Sequence, residues 1–308
     1  MLIDTHCHIQ FKAFYDDVDA VIERCREKDM ILNLVGTQAD TSKKAIEWAE
    51  KYDWMYASVA LHPIQEYKTL VKEEADEFIA RGEQFDYEYY RSLAVHPKVI
   101  AIGETGLDRF HVPKNIDIEI VMNKQKETFL EHVRLAQEVG KPLSVHIRDA
   151  HEDMMRILPL LGGVRGGSSQ QGELSANNEP HPSPPLTGEG TFAPGVIHCY
   201  TGNWEYAQEY LKAGFYLGFT GVITYPPKKT DPAPQEWLNE VVKKVPIDRI
   251  LVETDSPYLA PHIIRGKRNE PWRVEEVVKK IAEIRDMAYG EVERQVEENT
   301  RRLFKGIL

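Results

Sequence analysis

The sequence predicts an α/β protein in which eight parallel strands close into a single (β/α)8 barrel. Three observations lead to this prediction. Eight short apolar runs recur along the chain and suit strands that are covered on both faces. Amphipathic segments with a helical period lie between them, as right-handed βα units require. The length of 308 residues also fits one such barrel with additions, because these barrels typically have ~250 residues.

The predicted strands are segments in which β-branched and other apolar side chains dominate. Helical patterns precede the second strand at 18–25 and the fifth strand at 129–139, and Gly140 and Pro142 end the latter helix. Asn203 is the predicted N-cap of a later helix. An open, doubly wound sheet is the alternative arrangement of these elements. In chain order the predicted strands are 2–6, 30–36, 55–61, 99–104, 143–147, 195–199, 215–219 and 250–254.

Two segments fall outside this alternation. Residues 64–98 follow the third strand and predict a long, mostly helical excursion. Residues 162–194 are rich in Gly, Ser, Pro and Asn and have almost no aliphatic periodicity. This composition predicts a low-complexity, disordered surface insertion between strands five and six. We therefore expect residues 1–308 to form one barrel that carries the insertion.

The composition narrows the class of protein. Acidic side chains outnumber basic ones by 49 to 38, so the net charge of −11 repels polyanions, and a nucleic-acid substrate would need a local basic patch. The first residues lead directly into a predicted strand without the features of a leader, and no apolar run reaches ~18 residues. We expect a cytoplasmic protein without a membrane segment. The three cysteines form no CxxC pair, which argues against a thiolate zinc site.

The first predicted strand ends in a pair of histidines. Side chains two residues apart on a strand share a face, so His6 and His8 point the same way. In a barrel, the carboxyl ends of the strands form the floor of the active-site mouth. A pair of imidazoles at this position is typical of metal ligands, whereas a single histidine is more often a core residue.

Further side chains of the metal-binding type lie at the ends of other predicted strands. They converge when the barrel closes, because every parallel strand presents its carboxyl end at the same mouth. Four imidazoles and two carboxylates exceed the needs of one tetrahedral cation, so we predict two divalent ions bridged by Glu104. The ligand types favour Zn²⁺, Mn²⁺, Co²⁺ or Ni²⁺ and are compatible with Mg²⁺. The predicted ligands are His6, His8, Glu104, His146, His198 and Asp255.

Such a site permits hydrolysis. A divalent ion lowers the pKa of bound water towards ~7 and clamps an oxygen of the scissile group. Glu104 and Asp255 are the predicted catalytic carboxylates, and Asp255 is expected both to ligate a metal and to accept a proton from the attacking water. Glu253 and Asp4 each lie two residues before a ligand, on the same face. Each of them either orients a ligand or is a buried structural carboxylate.

Other side chains near the predicted mouth are candidates for contact with substrate. Arg148 is the best candidate for an anionic group, since a guanidinium matches phosphate oxygens. His62 either contacts substrate or makes a local structural hydrogen bond. The basic residues Arg265, Lys267 and Arg268 follow the eighth strand and either bind substrate or form a solvated run of charge. The aromatic residues that either stack on bases or pack locally are Tyr200, Tyr258 and Trp272.

Five ordered motifs contain the six predicted ligands. They are DTHCH at 4–8, IGETGLD at 102–108, HIR at 146–148, HCYTG at 198–202 and ETDSPYL at 253–259. Together they resemble the motifs of the TatD family of metal-dependent deoxyribonucleases, and 265–271 and 299–304 resemble that family's C-terminal pattern. The resemblance covers nearly the whole chain. The segment 162–194 departs from it, because relatives of this type connect strands five and six briefly, and this puts access of substrate in question more than the chemistry.

The resemblance implies an amidohydrolase-like TIM barrel with the six ligands named above. It also implies hydrolysis of DNA phosphodiester bonds, typically by a 3'-5' exonuclease acting on single strands. Single-stranded DNA is then the expected partner, with no membrane and no obligate protein partner. Related barrels cleave amides, lactones or esters, so an ester or amide hydrolase such as a D-aminoacyl-tRNA deacylase is one alternative. A non-catalytic metal-binding scaffold is the other.

Overall fold

The computed structural model describes residues 1–72, 77–161 and 195–307. Eight parallel strands form one sheet with helices packed around it, which confirms the predicted (β/α)8 barrel. The strands in chain order are β1 (Ile3–Cys7), β2 (Ile31–Val35), β3 (Met55–Val59), β4 (Leu70–Lys72), β5 (Glu77–Ile79), β6 (Val99–Asp108), β7 (Leu143–Arg148), β8 (Gly195–Ile197), β9 (Tyr216–Phe219) and β10 (Ile250–Val252). Of these, β4 and β5 form a separate antiparallel pair.

Helices follow or connect most of the parallel strands. Their apolar faces pack on the outer surface of the sheet and form the larger hydrophobic core with it. The helices are α1 (Val18–Glu27), α2 (Ala39–Ala49), α3 (Tyr87–Ala94), α4 (Ile118–Val139), α5 (His151–Ile157), α6 (Trp204–Lys212), α7 (Ala233–Lys244), α8 (Val274–Arg285) and α9 (Tyr289–Leu303).

Two of these helices show how the sequence sets their ends. The side chain of Asn203 accepts a hydrogen bond from the backbone N–H of Tyr206 at 3.0 Å, which confirms the predicted N-cap of α6. Asp117 caps α4 in the same way, accepting from the N–H of Glu119 at 2.8 Å. Helix α4 ends at Gly140, whose φ of +64° is the left-handed conformation that glycine adopts readily. Both helices thus begin where their capping residues place them, and α4 ends at its glycine.

The first and last strands of the sheet meet and complete the barrel. The backbone N–H of Asp255 donates to the carbonyl oxygen of His6 at 2.8 Å, and the N–H of His8 donates to that of Ser256 at 2.8 Å. The buried carboxylate of Asp4 accepts hydrogen bonds from the backbone N–H and the hydroxyl group of Thr254, at 2.9 and 2.5 Å. These contacts bring the end of β1 next to the residues that follow β10.

The opposite end of the barrel is covered by the last helix. Leu303 at the end of α9, and Phe304 after it, are buried against apolar side chains at the first positions of the strands, such as Ile3. The side-chain amide of Asn299 in α9 donates to the carbonyl oxygen of Ile250 at 2.9 Å. The barrel is therefore closed at the amino-terminal ends of its strands. The candidate ligands lie at the opposite end, the carboxyl-terminal mouth.

Strand β6 continues to Asp108, beyond its predicted end at Glu104. Gly106 of this strand pairs with His146 of β7 and has a φ of +148°. A Cβ atom on Gly106 would lie 2.0 Å from the carbonyl oxygen of His146, so only glycine allows this approach. The close pairing fixes the position of Glu104 relative to His146.

The prediction of a mostly helical excursion at 64–98 is wrong for most of the described residues of this segment. They contain one α-helix, α3, and also the β4–β5 hairpin, which the sequence pattern does not indicate. In the hairpin Leu70 pairs with Ile79 and Val71 pairs with Phe78. The predicted insertion at 162–194 lies outside the described residues. Among the helices of the described ranges, none is long and apolar enough to cross a membrane.

Candidate metal centre

Glu104 lies at the centre of the histidines that line the mouth. Its Oε2 atom is 3.4 Å from Nε2 of His6. Its Oε1 atom is 3.2 Å from Nε2 of His62, 3.0 Å from Nδ1 of His146 and 3.7 Å from Nε2 of His198. One carboxylate thus faces imidazoles from four different strand ends, which is the arrangement a bridging ligand needs.

Asp255 faces a second set of imidazoles. Its Oδ1 atom is 3.2 Å from Nε2 of His8, 3.6 Å from Nε2 of His198 and 3.8 Å from Nε2 of His6. Asp255 has a φ of +57°, a conformation that costs a non-glycine residue energy and that is held here by its backbone hydrogen bond to His6. The six predicted ligands therefore meet at one place, together with His62.

Polar contacts on the far side of two imidazoles leave their inner nitrogens available. Nδ1 of His8 is 2.7 Å from the carbonyl oxygen of Val35, and because a carbonyl only accepts, this nitrogen carries the proton. Nδ1 of His198 is 2.9 Å from Oε1 of Glu253, a buried carboxylate. In both rings Nε2 is then the atom that can donate its lone pair to a cation.

The donor set fits divalent cations. Nε2 of His6 is buried and makes no hydrogen bond with any residue in the described ranges, although carboxylate oxygens lie 3.4 and 3.8 Å away. A buried polar atom without a partner is costly, and a cation among these atoms would satisfy it. Three clusters have ligand atoms close enough to share one ion: His6 with His198 and Glu253, His6 with His8 and Asp255, and His62 with Glu104 and His146.

The charges of the two carboxylates suit the same role. Burial raises the pKa of Glu104, but the imidazoles of His62 and His6 outweigh burial and hold it well below its usual value. Burial also raises the pKa of Asp255, and the neighbouring imidazoles of His8 and His198 bring it below the usual value. Both groups are therefore ionised at neutral pH, as metal ligands must be.

His146 lies between two carboxylates. Its Nδ1 is 3.0 Å from Glu104 and its Nε2 is 3.1 Å from Oδ2 of Asp108. Burial lowers the pKa of His146, but the hydrogen bonds with Asp108 and Glu104 outweigh it and raise the pKa to about 9. The ring is thus positioned by Asp108 for contact with Glu104.

Asp108 and His111 are site residues that sequence reasoning missed. Oδ2 of Asp108 is 3.0 Å from Nδ1 of His111 as well as 3.1 Å from His146, and both residues line the central cavity of the mouth. Asp108 is the last residue of the motif at 102–108 and of strand β6. Its position four residues beyond Glu104 on one strand is the signal that points to it, because residues an even number apart share a face.

The mouth opens into a cavity of about 290 Å³, called here the central cavity. His62 and Arg148, both predicted to contact substrate, line it, and the guanidinium of Arg148 lies 4.1 Å from the centre of the Phe110 ring. Among the described residues, the lining includes His8, Phe11, Thr37, His62, Gln65, Phe78, Glu104, Asp108, His111, His146, Arg148, His198, Asp255 and Tyr258.

The basic residues after β10 are placed differently. Arg268 makes paired hydrogen bonds with the carboxylate of Asp17 at 2.7 and 2.6 Å, so its guanidinium is engaged in an ion pair. Arg265 stacks over Tyr225 at 4.4 Å. Of the described residues that line the central cavity, none is Arg265, Lys267 or Arg268. The structure does not bring this group to the candidate ligands.

The two carboxylates predicted behind the ligands differ in their contacts. Glu253 faces Nδ1 of His198 and also accepts from the backbone N–H of Cys199 at 2.5 Å, so it holds a ligand ring. Asp4 binds the backbone N–H groups of His6 and Thr254 and contacts no imidazole of the centre among the described residues. Its contacts join the ends of the sheet.

The three aromatic residues that were candidates for base stacking lie in different surroundings. Tyr258 lines the central cavity. Tyr200 is buried, and its hydroxyl group donates to the carbonyl oxygen of Asn203 at 2.5 Å. Trp272 donates from Nε1 to Glu270 at 2.7 Å and lies under the ammonium group of Lys28. Only the first of these three is placed beside the candidate ligands.

The chain is similar to known proteins along its whole length. A family described as TatD related DNase matches residues 3–305. The chain is 36% identical to the uncharacterized metal-dependent hydrolase YabD of Bacillus subtilis (strain 168), over 99% of both chains. It is 28% identical to the 3'-5' ssDNA/RNA exonuclease TatD of Cronobacter sakazakii (strain ATCC BAA-894), over 98% of this chain and 97% of the relative. The crystal structure of YJJV, a TatD homologue from Escherichia coli K12, has the same fold, with a TM-score of 0.74 at 24% identity and coverage of 98% and 97%.

Proposed function

The chain belongs to the TatD-related DNase family, whose relatives are metal-dependent hydrolases, and from this premise we propose that it hydrolyses phosphodiester bonds in single-stranded DNA as a 3'-5' exonuclease. The observation that carries the proposal is the meeting of Glu104 and Asp255 with five imidazoles at the floor of one cavity. The named exonuclease among the relatives supports the choice of nucleic acid.

The residues divide into two groups of ligands around Glu104. We assign His6, His8 and Asp255 to one divalent ion and His62 and His146 to the other, with Glu104 placed to serve both and His198 reaching both carboxylates. Mg²⁺, Mn²⁺ and Zn²⁺ are the ions that such oxygen and nitrogen donors accept. When bound, two such ions would activate water and stabilise charge on the scissile phosphate.

Asp255 is the proposed proton acceptor. Its Oδ1 atom faces His8 and His198, which leaves Oδ2 to receive a proton from the attacking water. The carboxylate borders the cavity, and its side chain keeps 16% of its surface exposed, whereas that of His6 keeps none. Asp255 is thus the ligand best placed to exchange a proton with a molecule in the cavity.

Arg148 is the proposed contact for a phosphate oxygen. It lines the cavity near His146 of the same strand, and a guanidinium binds phosphate through two parallel hydrogen bonds. Its position over the ring of Phe110 limits the orientations of the side chain. Arg148, held by Phe110, would keep the scissile phosphate against the candidate metal ligands and orient it for attack.

The proposal is tested with protein purified without chelator. An end-labelled single-stranded DNA is incubated with Mg²⁺, Mn²⁺ or Zn²⁺, and the products are separated by size beside parallel reactions with aminoacyl esters and lactones. We expect shortening of the DNA from its 3' end that depends on the ion. Cleavage of the small esters alone would overturn the nuclease proposal and favour an ester hydrolase such as a D-aminoacyl-tRNA deacylase. Bound metal without turnover of any substrate would indicate a scaffold.

A further inference from the structure

A second cavity of about 200 Å³ adjoins the central cavity, and we call it the outer cavity. The two share the side chains Phe11, Thr37, Gln65, Phe78 and Tyr258, so they lie side by side, and the outer cavity is the one farther from the candidate ligands. Its remaining described lining comes from residues after β1, from the start of α2 and from the β4–β5 hairpin and the residues that follow it.

The outer cavity carries more cations than anions. Lys12, Lys44 and Arg81 line it, and Asp40 is the one acidic residue in its described lining. Arg81 is paired with Asp40 at 2.9 Å, whereas Nζ of Lys44 hydrogen bonds to the neutral hydroxyl group of Tyr15 at 3.0 Å. Three cations and one carboxylate give the described lining a net positive charge, although Asp40 also lies near enough to interact with Lys44.

A third cavity, lined by residues that follow β6 and β7, has the opposite charge. This cavity of about 590 Å³ is lined by Arg109 and Arg156, but also by the four carboxylates Glu119, Asp149, Glu152 and Asp153. It shares no lining residue with the central cavity among the described residues. An anionic strand is repelled there and attracted to the outer cavity, which matters in a protein whose net charge is −11.

Other parts of the outer cavity suit unpaired bases. Phe78 and Tyr258 give it aromatic walls, and base stacking on such rings requires bases that are not enclosed in a duplex.

We propose that the outer cavity binds the nucleotides that flank the scissile bond of a single strand. Lys12 and Lys44 contact the phosphates, and Phe78 and Tyr258 contact the bases. The inference rests on the proposed function, since it takes the substrate class from it. It adds the path of the strand, which runs over the residues after β1 and the hairpin and away from the acidic third cavity.

The test separates binding of the strand from chemistry at the centre. A fluorescently labelled, phosphorothioate-linked single-stranded DNA resists cleavage and reports affinity by anisotropy, while bis(4-nitrophenyl) phosphate reports turnover by a substrate too small to reach the outer cavity. The variants are Lys12→Ala, Lys44→Ala and the double variant. Lys43→Ala is the matched control, because Lys43 lies beside Lys44 on α2, pairs with Glu47 and is absent from the described lining.

We expect each lysine variant to weaken DNA binding by roughly three- to tenfold and to lower the slope of log affinity against log salt by about 0.7 for each phosphate that is no longer bound. Turnover of the small substrate stays unchanged, as does DNA binding by Lys43→Ala. Equal affinity of the double variant and the control would overturn the inference, and so would absence of DNA binding by the unaltered protein. Failure of the unaltered protein to shorten DNA that it binds would overturn the proposed nuclease function alone.

Discussion

The carboxylate of Glu253 lies 2.9 Å from Nδ1 of His198, and both side chains are buried. The imidazole is thereby fixed with Nε2 towards Glu104 and Asp255, at 3.7 and 3.6 Å. Burial raises the pKa of Glu253, but the charge of His198 and its hydrogen bond lower it below the usual value. A buried anion behind a ligand both orients the ring and strengthens its lone pair.

Replacing Glu253 by Gln is expected to weaken metal binding. The amide keeps the size of the side chain but removes the charge that supports His198, and removal of such a partner typically costs about 10- to 100-fold in metal affinity. Titration of metal-stripped protein with Zn²⁺ or Mn²⁺ in a calorimeter measures the change. Glu240→Gln on the exposed surface of α7 is the matched control. Unchanged affinity in Glu253→Gln would contradict the role assigned to the carboxylate.

Replacing Asp255 by Asn is expected to lower kcat by about 10²- to 10⁴-fold, because the amide cannot accept the proton of the attacking water. Hydrolysis of a labelled single strand at saturating Mn²⁺ measures kcat, and calorimetric unfolding shows that the fold is kept. Asp248→Asn, in the turn before β10, controls for removal of an acidic side chain nearby in sequence. If Asp255→Asn turns over at the rate of the unaltered protein, a different group takes the proton.

Replacing Gly106 by Ala is expected to destabilise the fold by about 3 kcal/mol, since the new Cβ would lie 2.0 Å from the carbonyl oxygen of His146 and the φ of +148° disfavours a side chain. Thermal unfolding measures the effect as a lowered Tm. Gly290→Ala in α9 is the control, because its Cβ would meet its nearest neighbour only at 3.8 Å. Equal Tm values for the two variants would show that β6 can move away from β7.

Stability is expected to fall as the pH rises through about 7 because of Glu66. Burial raises the pKa of this carboxyl from 4.5 to about 7, against a hydrogen bond from Thr128 and the charge of Lys124, with Glu127 adding to the rise. The neutral form is therefore favoured in the folded state. Its contribution is fully present below pH 4.5 and is lost as the pH passes the folded-state pKa.

Glu66→Gln tests this pH dependence. The variant keeps a neutral side chain at every pH, so we expect it to gain up to about 3 kcal/mol over the unaltered protein at about pH 8 and nothing at about pH 4.5. Urea unfolding at both pH values measures the difference. Glu127→Gln on α4 serves as the control. A constant difference between the two pH values would mean that folding does not raise the pKa of Glu66.

The barrel and the meeting of the candidate ligands could be predicted because both depend on short-range patterns. The alternation of apolar runs and amphipathic segments defines the strands, and a closed barrel gathers their carboxyl ends whatever the loops do. His6 and Asp255 are separated by almost the whole chain, yet closure of the barrel places Nε2 of His6 3.8 Å from Oδ1 of Asp255. The proximity of the six candidate ligands therefore follows from the strand ends alone.

The contacts of Arg268 could not be predicted in the same way. Its partner Asp17 lies 251 positions earlier, at the start of α1, and nothing in a run of basic residues shows which of them meets a distant carboxylate. The extension of β6 to Asp108 depends on pairing with β7, and the hairpin of β4 and β5 depends on contacts between two strands of three residues each. Such features follow from tertiary contacts, which local sequence does not contain.

Leu303 and Phe304 pack beneath the strands, and among the described residues they close the barrel interior at that end. If the chain is a nuclease, a released mononucleotide cannot leave through this closed end. It must leave through the carboxyl-terminal mouth, past the DNA that remains bound. Departure of each product and advance of the remaining DNA would then use the same opening. The replacement of product by the next nucleotide would limit the rate of stepwise digestion whenever bond cleavage is faster.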